Sequence, residues 1–193
     1  MANIKITDTE TLTNERFTLK KINFELQKED GAWHNQSRLV FSHGNAAAAL
    51  LYNKDKQTII LTEQFRLPTF LNGNPSGMLL EVPAGLLDAD EDAADTIKRE
   101  ITEETGYEVT DVQKVYETYT SPGSLTELLY LYIAEYEEHH KTGEGGGLQH
   151  EGEHITVIEM PFHEATQQLH QGKIRDSKTI MLLQYAMLNG IIK

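Results

Sequence analysis

The sequence has no cysteine among its 193 residues. That excludes disulfides, thiolate metal sites and a cysteine nucleophile. Cations are scarce: 17 Lys and Arg stand against 30 Asp and Glu, a net charge of −13. A field of that sign repels polyanions, so DNA and RNA are not expected partners. A small phosphorylated ligand needs local positive charge, which a divalent metal supplies most simply in an acidic protein. No apolar run approaches the roughly 18 residues of a membrane span. The stretch from Met1 to Glu10 is polar and mixed in charge, without the apolar region of a signal peptide. The expectation is a cytoplasmic protein with no membrane partner. Several catalytic signatures are missing as well. There is no Gly-x-Ser-x-Gly elbow, no His-Glu-x-x-His pair, and no Gly-Lys-Ser/Thr after the glycines at 143–147. Of the eight histidines, His139, His140, His150 and His154 lie in a polar stretch without closed zinc-site spacing, and read as surface residues.

What is present is the composition of a globular domain, 39% hydrophobic and 24% charged, in a chain long enough for one domain or one domain with a small annex. Alternation predicts strands over 17–26, with a phase shift or bulge at Lys20-Lys21, and over 36–42. The small apolar run Ala46 to Tyr52 reads as a buried strand, joined by a turn at 53–56 to a strand over 58–65. A Gly/Pro/Asn loop over 70–77 precedes a short strand over 78–82. A helix is expected from about Glu91 to Thr105, capped by Asp90 and ended by Gly106. Further strands are expected at about 107–119, 127–136 and 154–160. A polar loop holding Gly145-Gly146-Gly147 lies between the last two, and helices follow at 163–171 and 177–189. Mixed strands with few helices imply an α+β arrangement.

The chemistry concentrates in residues 85–107, GLLDADEDAADTIKREITEETGY. Glu100, Glu103 and Glu104 stand at i, i+3 and i+4, within roughly 100° of helix surface. The apolar stripe of Ala94, Ile97 and Ile101 is centred roughly 90° away, so the carboxylates border the buried face. Like charges at this spacing destabilise a helix and call for compensation. Arg99 with Glu103 offers part of it. A divalent cation held by carboxylate oxygens would offer more. A solvated acidic face is the alternative reading of the cluster alone.

The pattern Gly-x5-Glu-x7-Arg-Glu-U-x-Glu-Glu-x-Gly-U, with U a bulky apolar residue, is filled by Gly85, Glu91, Arg99, Glu100, Ile101, Glu103, Glu104 and Gly106, with Tyr107 at the last position. This is the Nudix box, and the chain resembles the Nudix hydrolases. Glu63-Gln64-Phe65-Arg66, Leu80 to Gly85 and Ser121-Pro122-Gly123 resemble the branch that hydrolyses ADP-ribose and nucleotide sugars. Thr126-Glu127, LLDxDE after the box glycine, Ala134-Glu135-Tyr136, the triple glycine and Ile174 to Thr179 resemble the bacterial GDP-mannose enzymes within it.

The resemblance implies an α/β/α sandwich with a mixed sheet at 43–193, and an N-terminal antiparallel β annex at 1–42 that pairs two chains into a homodimer. It implies Mg²⁺, or Mn²⁺, held by Glu100, Glu104, the Ala84 carbonyl and Glu153. Glu103 would be a further carboxylate of that shell. Arg99, partnered by Glu91, would orient the glutamates; an ordinary surface pair is the other reading. Glu144, Glu151 and Glu153 are candidates for a general base on a loop that its glycines let swing. Glu153 fits best by its distance to Pro161-Phe162, and Glu151 comes next. Arg66 and Arg38 are phosphate-contact candidates, because a guanidinium pairs phosphate oxygens bidentately. Lys178 would reach a phosphate or sugar, or else serve only its helix start. Glu127 would bond a nucleoside or sugar hydroxyl, while Gly85, Leu86 and Glu104 would border the substrate. The implied reaction converts GDP-mannose to GMP and mannose 1-phosphate. ADP-ribose giving AMP and ribose 5-phosphate is the alternative, and a non-catalytic nucleotide-sugar sensor is a third.

Overall fold

A computed structural model describes residues 3–148, 152 and 154–192. It divides into two compact units, Met1–Asn45 with Tyr119–Leu128, and Ala46–Thr118 with Leu129–Lys193.

The first unit is a three-stranded antiparallel sheet of β1 (Ile4–Asn14), β2 (Thr18–Gln27) and β3 (Trp33–Ser42), in that order. The segment 121–126 fastens to the end of β3. Phe41 N–H donates to the Ser124 carbonyl at 2.8 Å, and Thr126 N–H to the Phe41 carbonyl at 3.1 Å. Phe17, Phe41 and His43 meet edge to face, with ring centroids 5.6 to 5.8 Å apart. The irregularity expected at Lys20-Lys21 falls on the strand paired with it, where Thr11 faces Lys20 and Thr13 faces Leu19. The β2–β3 register is unbroken, while β1 carries one extra residue between Ile6 and Asp8 and another between Thr11 and Thr13.

The second unit is built on a seven-stranded mixed sheet. Its strands are β4 (Ala46–Asn53), β5 (Thr58–Phe65), β6 (Met78–Glu81), β7 (Ala84–Leu86), β8 (Gln113–Tyr119), β9 (Leu128–Glu135) and β10 (Thr156–Pro161). The main path runs β10-β5-β4-β9-β8, with β6 on β5 and β7 on β4. Only the β4–β9 pairing in the registers described is parallel; β5 pairs antiparallel with β4, β6 and β10.

Strand β4 is buried at every position, because both faces of the sheet are covered. Ala46, Ala48, Leu50 and Tyr52 pack with Phe162, Ala165, Leu182, Leu183 and Ala186. Those residues come from α3 (Phe162–His170) and α4 (Ser177–Leu188). Ala47, Ala49 and Leu51 pack on the other face with Ala93, Ile97 and Ile101 of α2 (Ala93–Thr105). The result is the expected helix–sheet–helix layering.

Three details differ from the sequence reading. The cap of α2 is Asp92, whose side chain accepts from Ala94 N–H at 2.8 Å; Asp90 instead takes a positive φ of 65° in the preceding turn. A five-residue helix, α1 (Leu67–Leu71), opens the segment after Arg66, with Pro68 in its first turn. The strand expected from 107 starts only at Gln113, since Tyr107 and Val109 are buried in the core beside α2. Among the described residues no helix is long and apolar enough to cross a membrane.

Candidate active site

Small residues bring the box together. Strand β7 pairs with β4 through Ala48 opposite Ala84 and Ala47 opposite Gly85. Helix α2 lies over this pair. Its Glu104, 2% exposed, accepts from the Ala84 N–H at 3.3 Å. Glu100 lies directly on Gly85: a Cβ there would stand 2.0 Å from the Glu100 Cδ and Oε1. The box glycine is therefore required by a close approach.

Arg99 gathers the remaining carboxylates. Its Nη1 donates to Glu100 Oε1 at 2.8 Å and to Glu103 Oε2 at 3.1 Å. Its Nε and Nη2 donate to the two oxygens of Glu91 at 3.3 and 3.2 Å. Hydrogen bonding to Glu91 and the charge of Glu100 outweigh desolvation, and hold the guanidinium well above its ordinary pKa. The same bond draws the Glu91 carboxyl below the usual range. One cation thus offsets the like-charge repulsion along the helix.

The glycine segment does not hang free where it is described. Thr142 and Gly143 N–H donate to the Gly106 carbonyl at 2.8 and 3.1 Å. Gly146 N–H donates to the Glu104 carbonyl at 2.9 Å, and Gly147 N–H to the Glu103 carbonyl at 3.1 Å. These bonds satisfy carbonyls that a helix end leaves unpaired. Residues 142–147 are a clasp on the end of α2. Glu144 lines a cavity of 370 Å³ with Tyr107, Lys141 and Glu159. Glu151 and Glu153 lie outside the described residues.

Arg66 and Lys178 meet on a residue to which sequence reasoning gave no role. Arg66 Nε and Nη2 donate to Glu81 Oε1 and Oε2 at 2.7 and 3.2 Å, and Lys178 Nζ bonds Glu81 Oε2. Glu81 is 2% exposed. Burial raises its pKa, but Lys178 and Arg66 outweigh that and hold the carboxyl below the usual range. The available signal was a charge inside the apolar run of β6. Leu86 is half-buried at the end of β7. In the first unit, Arg38 donates to the Ser37 carbonyl and Gln36 Oε1 at 2.8 and 2.9 Å, and Glu127 accepts from Thr120 at 2.6 Å.

Among the described residues, no three His, Asp or Glu side chains converge as a metal-binding group. The donor chemistry nonetheless fits a hard divalent cation. Glu100 and Glu104 offer carboxylate oxygens on one helix, beside a glycine that leaves no side chain between Glu100 and β7.

The family comparisons agree with this geometry. A NUDIX domain profile matches residues 42–183, and one described as the GDP-mannose pyrophosphatase NudK N-terminal domain matches residues 3–41. The chain belongs to the Nudix family. Within it, the chain is 47% identical to a GDP-mannose pyrophosphatase of Cronobacter sakazakii over 98% of each chain. It is 49% identical to one of Yersinia pestis, over 93% of this chain and 89% of that one. Nudix hydrolases generally use divalent metal ions. A crystal structure of an ADP compounds hydrolase shares the fold, with a TM-score of 0.70 at 18% identity over 98% of this chain and 97% of that one.

Proposed function

We propose that this protein hydrolyses the pyrophosphate bond of a nucleotide sugar, converting GDP-mannose to GMP and mannose 1-phosphate with Mg²⁺. The observation that carries the reading is the similarity to GDP-mannose pyrophosphatases along nearly the whole chain, N-terminal unit included. In this reading Glu100, Glu104, the Ala84 carbonyl and Glu153 hold the cation, with Glu103 in reserve beside them. The bound cation neutralises pyrophosphate charge and acidifies water. Arg99 orients Glu100 and Glu103. Glu153 accepts a proton from the attacking water, whose oxygen bonds to one phosphorus as the bridging P–O bond breaks. Arg66, Arg38 and Lys178 contact phosphate or sugar, Glu127 bonds a nucleoside or sugar hydroxyl, and Gly85 and Leu86 border the substrate.

The reading includes a division at residue 42, with the segment 1–42 pairing two chains as a homodimer, and a cytoplasmic location. The test uses purified protein with GDP-mannose and ADP-ribose side by side, with Mg²⁺ and then EDTA, and product identification. Preferred, EDTA-sensitive release of GMP and mannose 1-phosphate is expected. Preference for ADP-ribose would overturn the substrate, and tight binding without turnover would identify a sensor. Light scattering at twice the chain mass checks the dimer.

A further inference from the structure

Glu81 is expensive where it stands. A carboxylate in an otherwise apolar strand must be desolvated, and only partners offset that cost. Here two cations from distant parts of the chain converge on it. Arg66 follows β5 and takes both oxygens; Lys178 comes from the first turn of α4, 97 positions after Glu81, and shares Oε2. Asp176 completes the set, accepting from Lys178 Nζ at 2.9 Å. The four charges sum to zero.

The network is also tied to the box. Asp176 caps α4 by accepting from Thr179 N–H at 2.9 Å and from its hydroxyl at 2.6 Å. The Thr179 Oγ1 accepts in turn from Val82 N–H at 2.8 Å. The start of α4 is thereby bonded to the backbone two residues before Ala84. The side chain of Lys178 is 13% exposed and that of Arg66 is 41% exposed. The cluster therefore opens to solvent on the Arg66 side. Lysine has a flexible four-carbon stem, and holding its ammonium in one place needs a fixed partner.

We propose that Glu81 is a positioning residue that holds Arg66 and Lys178 in the arrangement that receives the substrate's pyrophosphate. The proposal rests on the functional reading above, which gives those two cations their phosphate role. Glu81 itself touches no substrate. It fixes two side chains in advance, so that binding does not have to order them.

The test compares wild type, Glu81→Asp, Lys178→Met and the double variant. Three quantities are read: the affinity for inorganic pyrophosphate by calorimetry, kcat and KM with GDP-mannose, and Tm. Glu81→Asp keeps the charge but withdraws it by one methylene. It is expected to weaken pyrophosphate binding and raise KM about tenfold, since misplacement of about 1 Å is costly in such sites. In the Lys178→Met background the same change should cost less, about threefold, because only Arg66 is left to misplace. Wild-type affinity and KM in Glu81→Asp would overturn the proposal. So would an equal loss with and without Lys178, or a fall in Tm alone, as a purely structural role predicts. If Glu81→Asp does not fold, Glu81→Gln/Lys178→Met, which removes one charge of each sign, replaces it. That variant should bind pyrophosphate about tenfold more weakly than Lys178→Met, and equal affinity would overturn the proposal. If wild type leaves GDP-mannose intact, the functional reading fails, and the pyrophosphate affinities decide this one separately.

Discussion

Gly85→Ala separates catalysis from folding. The added Cβ would lie 2.0 Å from the Glu100 Cδ and Oε1, and 2.6 Å from its Cγ. Ordinary contact between such atoms begins near 3.5 Å, so the carboxylate must withdraw by about 1.5 Å. The fold has little reason to object. Gly85 is not among the residues with positive φ, so alanine fits its backbone without strain. The obstructing atoms are the end of a flexible side chain, and replacing glycine tightens the unfolded state by about 0.4–1 kcal/mol in the variant's favour. The net stability change should stay within about 1 kcal/mol, or about 2–4 °C in Tm for a chain of this size. Catalysis has no such tolerance, because a displacement above about 1 Å costs about 10²-fold when it moves a positioned group. The Arg99–Glu100 bond of 2.8 Å must rearrange as well. The assay is kcat with GDP-mannose across a Mg²⁺ titration, with Tm measured on the same preparation. We expect kcat to fall about 10²-fold and the half-saturating Mg²⁺ concentration to rise while Tm holds. Wild-type turnover at wild-type Mg²⁺ would refute the assignment of Glu100, and a collapse of Tm would refute the account of Gly85.

Gly145→Ala should behave in the opposite way. Its Cβ would meet the Glu104 carbonyl oxygen at 2.5 Å and the Thr105 carbonyl carbon at 2.6 Å, at a φ of +71°, so backbone must move. A loss of at least about 2 kcal/mol is expected in urea unfolding, and an unchanged midpoint would show that the clasp on α2 is dispensable. Glu100→Gln should abolish metal-dependent turnover and leave the circular dichroism spectrum intact; unchanged turnover would move the metal site elsewhere. Acid should weaken the protein through Glu81. Its native pKa lies below the ordinary 4.5, so its contribution is full above that value and is lost as pH falls toward the native pKa. Urea midpoints at about pH 6 and pH 4 should differ less in Lys178→Met, which removes the strongest downward influence on that carboxyl; equal differences would assign acid sensitivity to other groups.

What could be read from the chain follows from the range of the interactions involved. The α2 helix was legible because its signals are local: three glutamates at helical spacing, an apolar stripe, and a glycine that ends it at φ 74°. Its first residue was less legible, since Asp88, Asp90 and Asp92 are all able to cap, and only Asp92 reaches Ala94 N–H. Strand β4 declared itself by small apolar residues buried on both faces. Strand β1 did not, because every residue in it is exposed and burial leaves no alternation to read. The cluster on Glu81 joins residues 97 positions apart, and no spacing rule spans that distance. Its trace was one acid in an apolar strand.

The glycines show most clearly where sequence reasoning ends. A run of them announces conformational freedom and leaves its use undecided. In 142–147 the freedom serves close docking. Gly145 admits the backbone of Glu104 and Thr105, and Gly106 admits the carbonyl of Gly143, where a Cβ would come within 2.1 Å. Gly85 uses the same lack of a side chain differently, to admit the carboxylate of Glu100. A side-chain end can step aside and a backbone cannot. The same substitution should therefore cost activity at Gly85 and stability at Gly145, and the loss should appear in turnover at the first position and in the unfolding curve at the second.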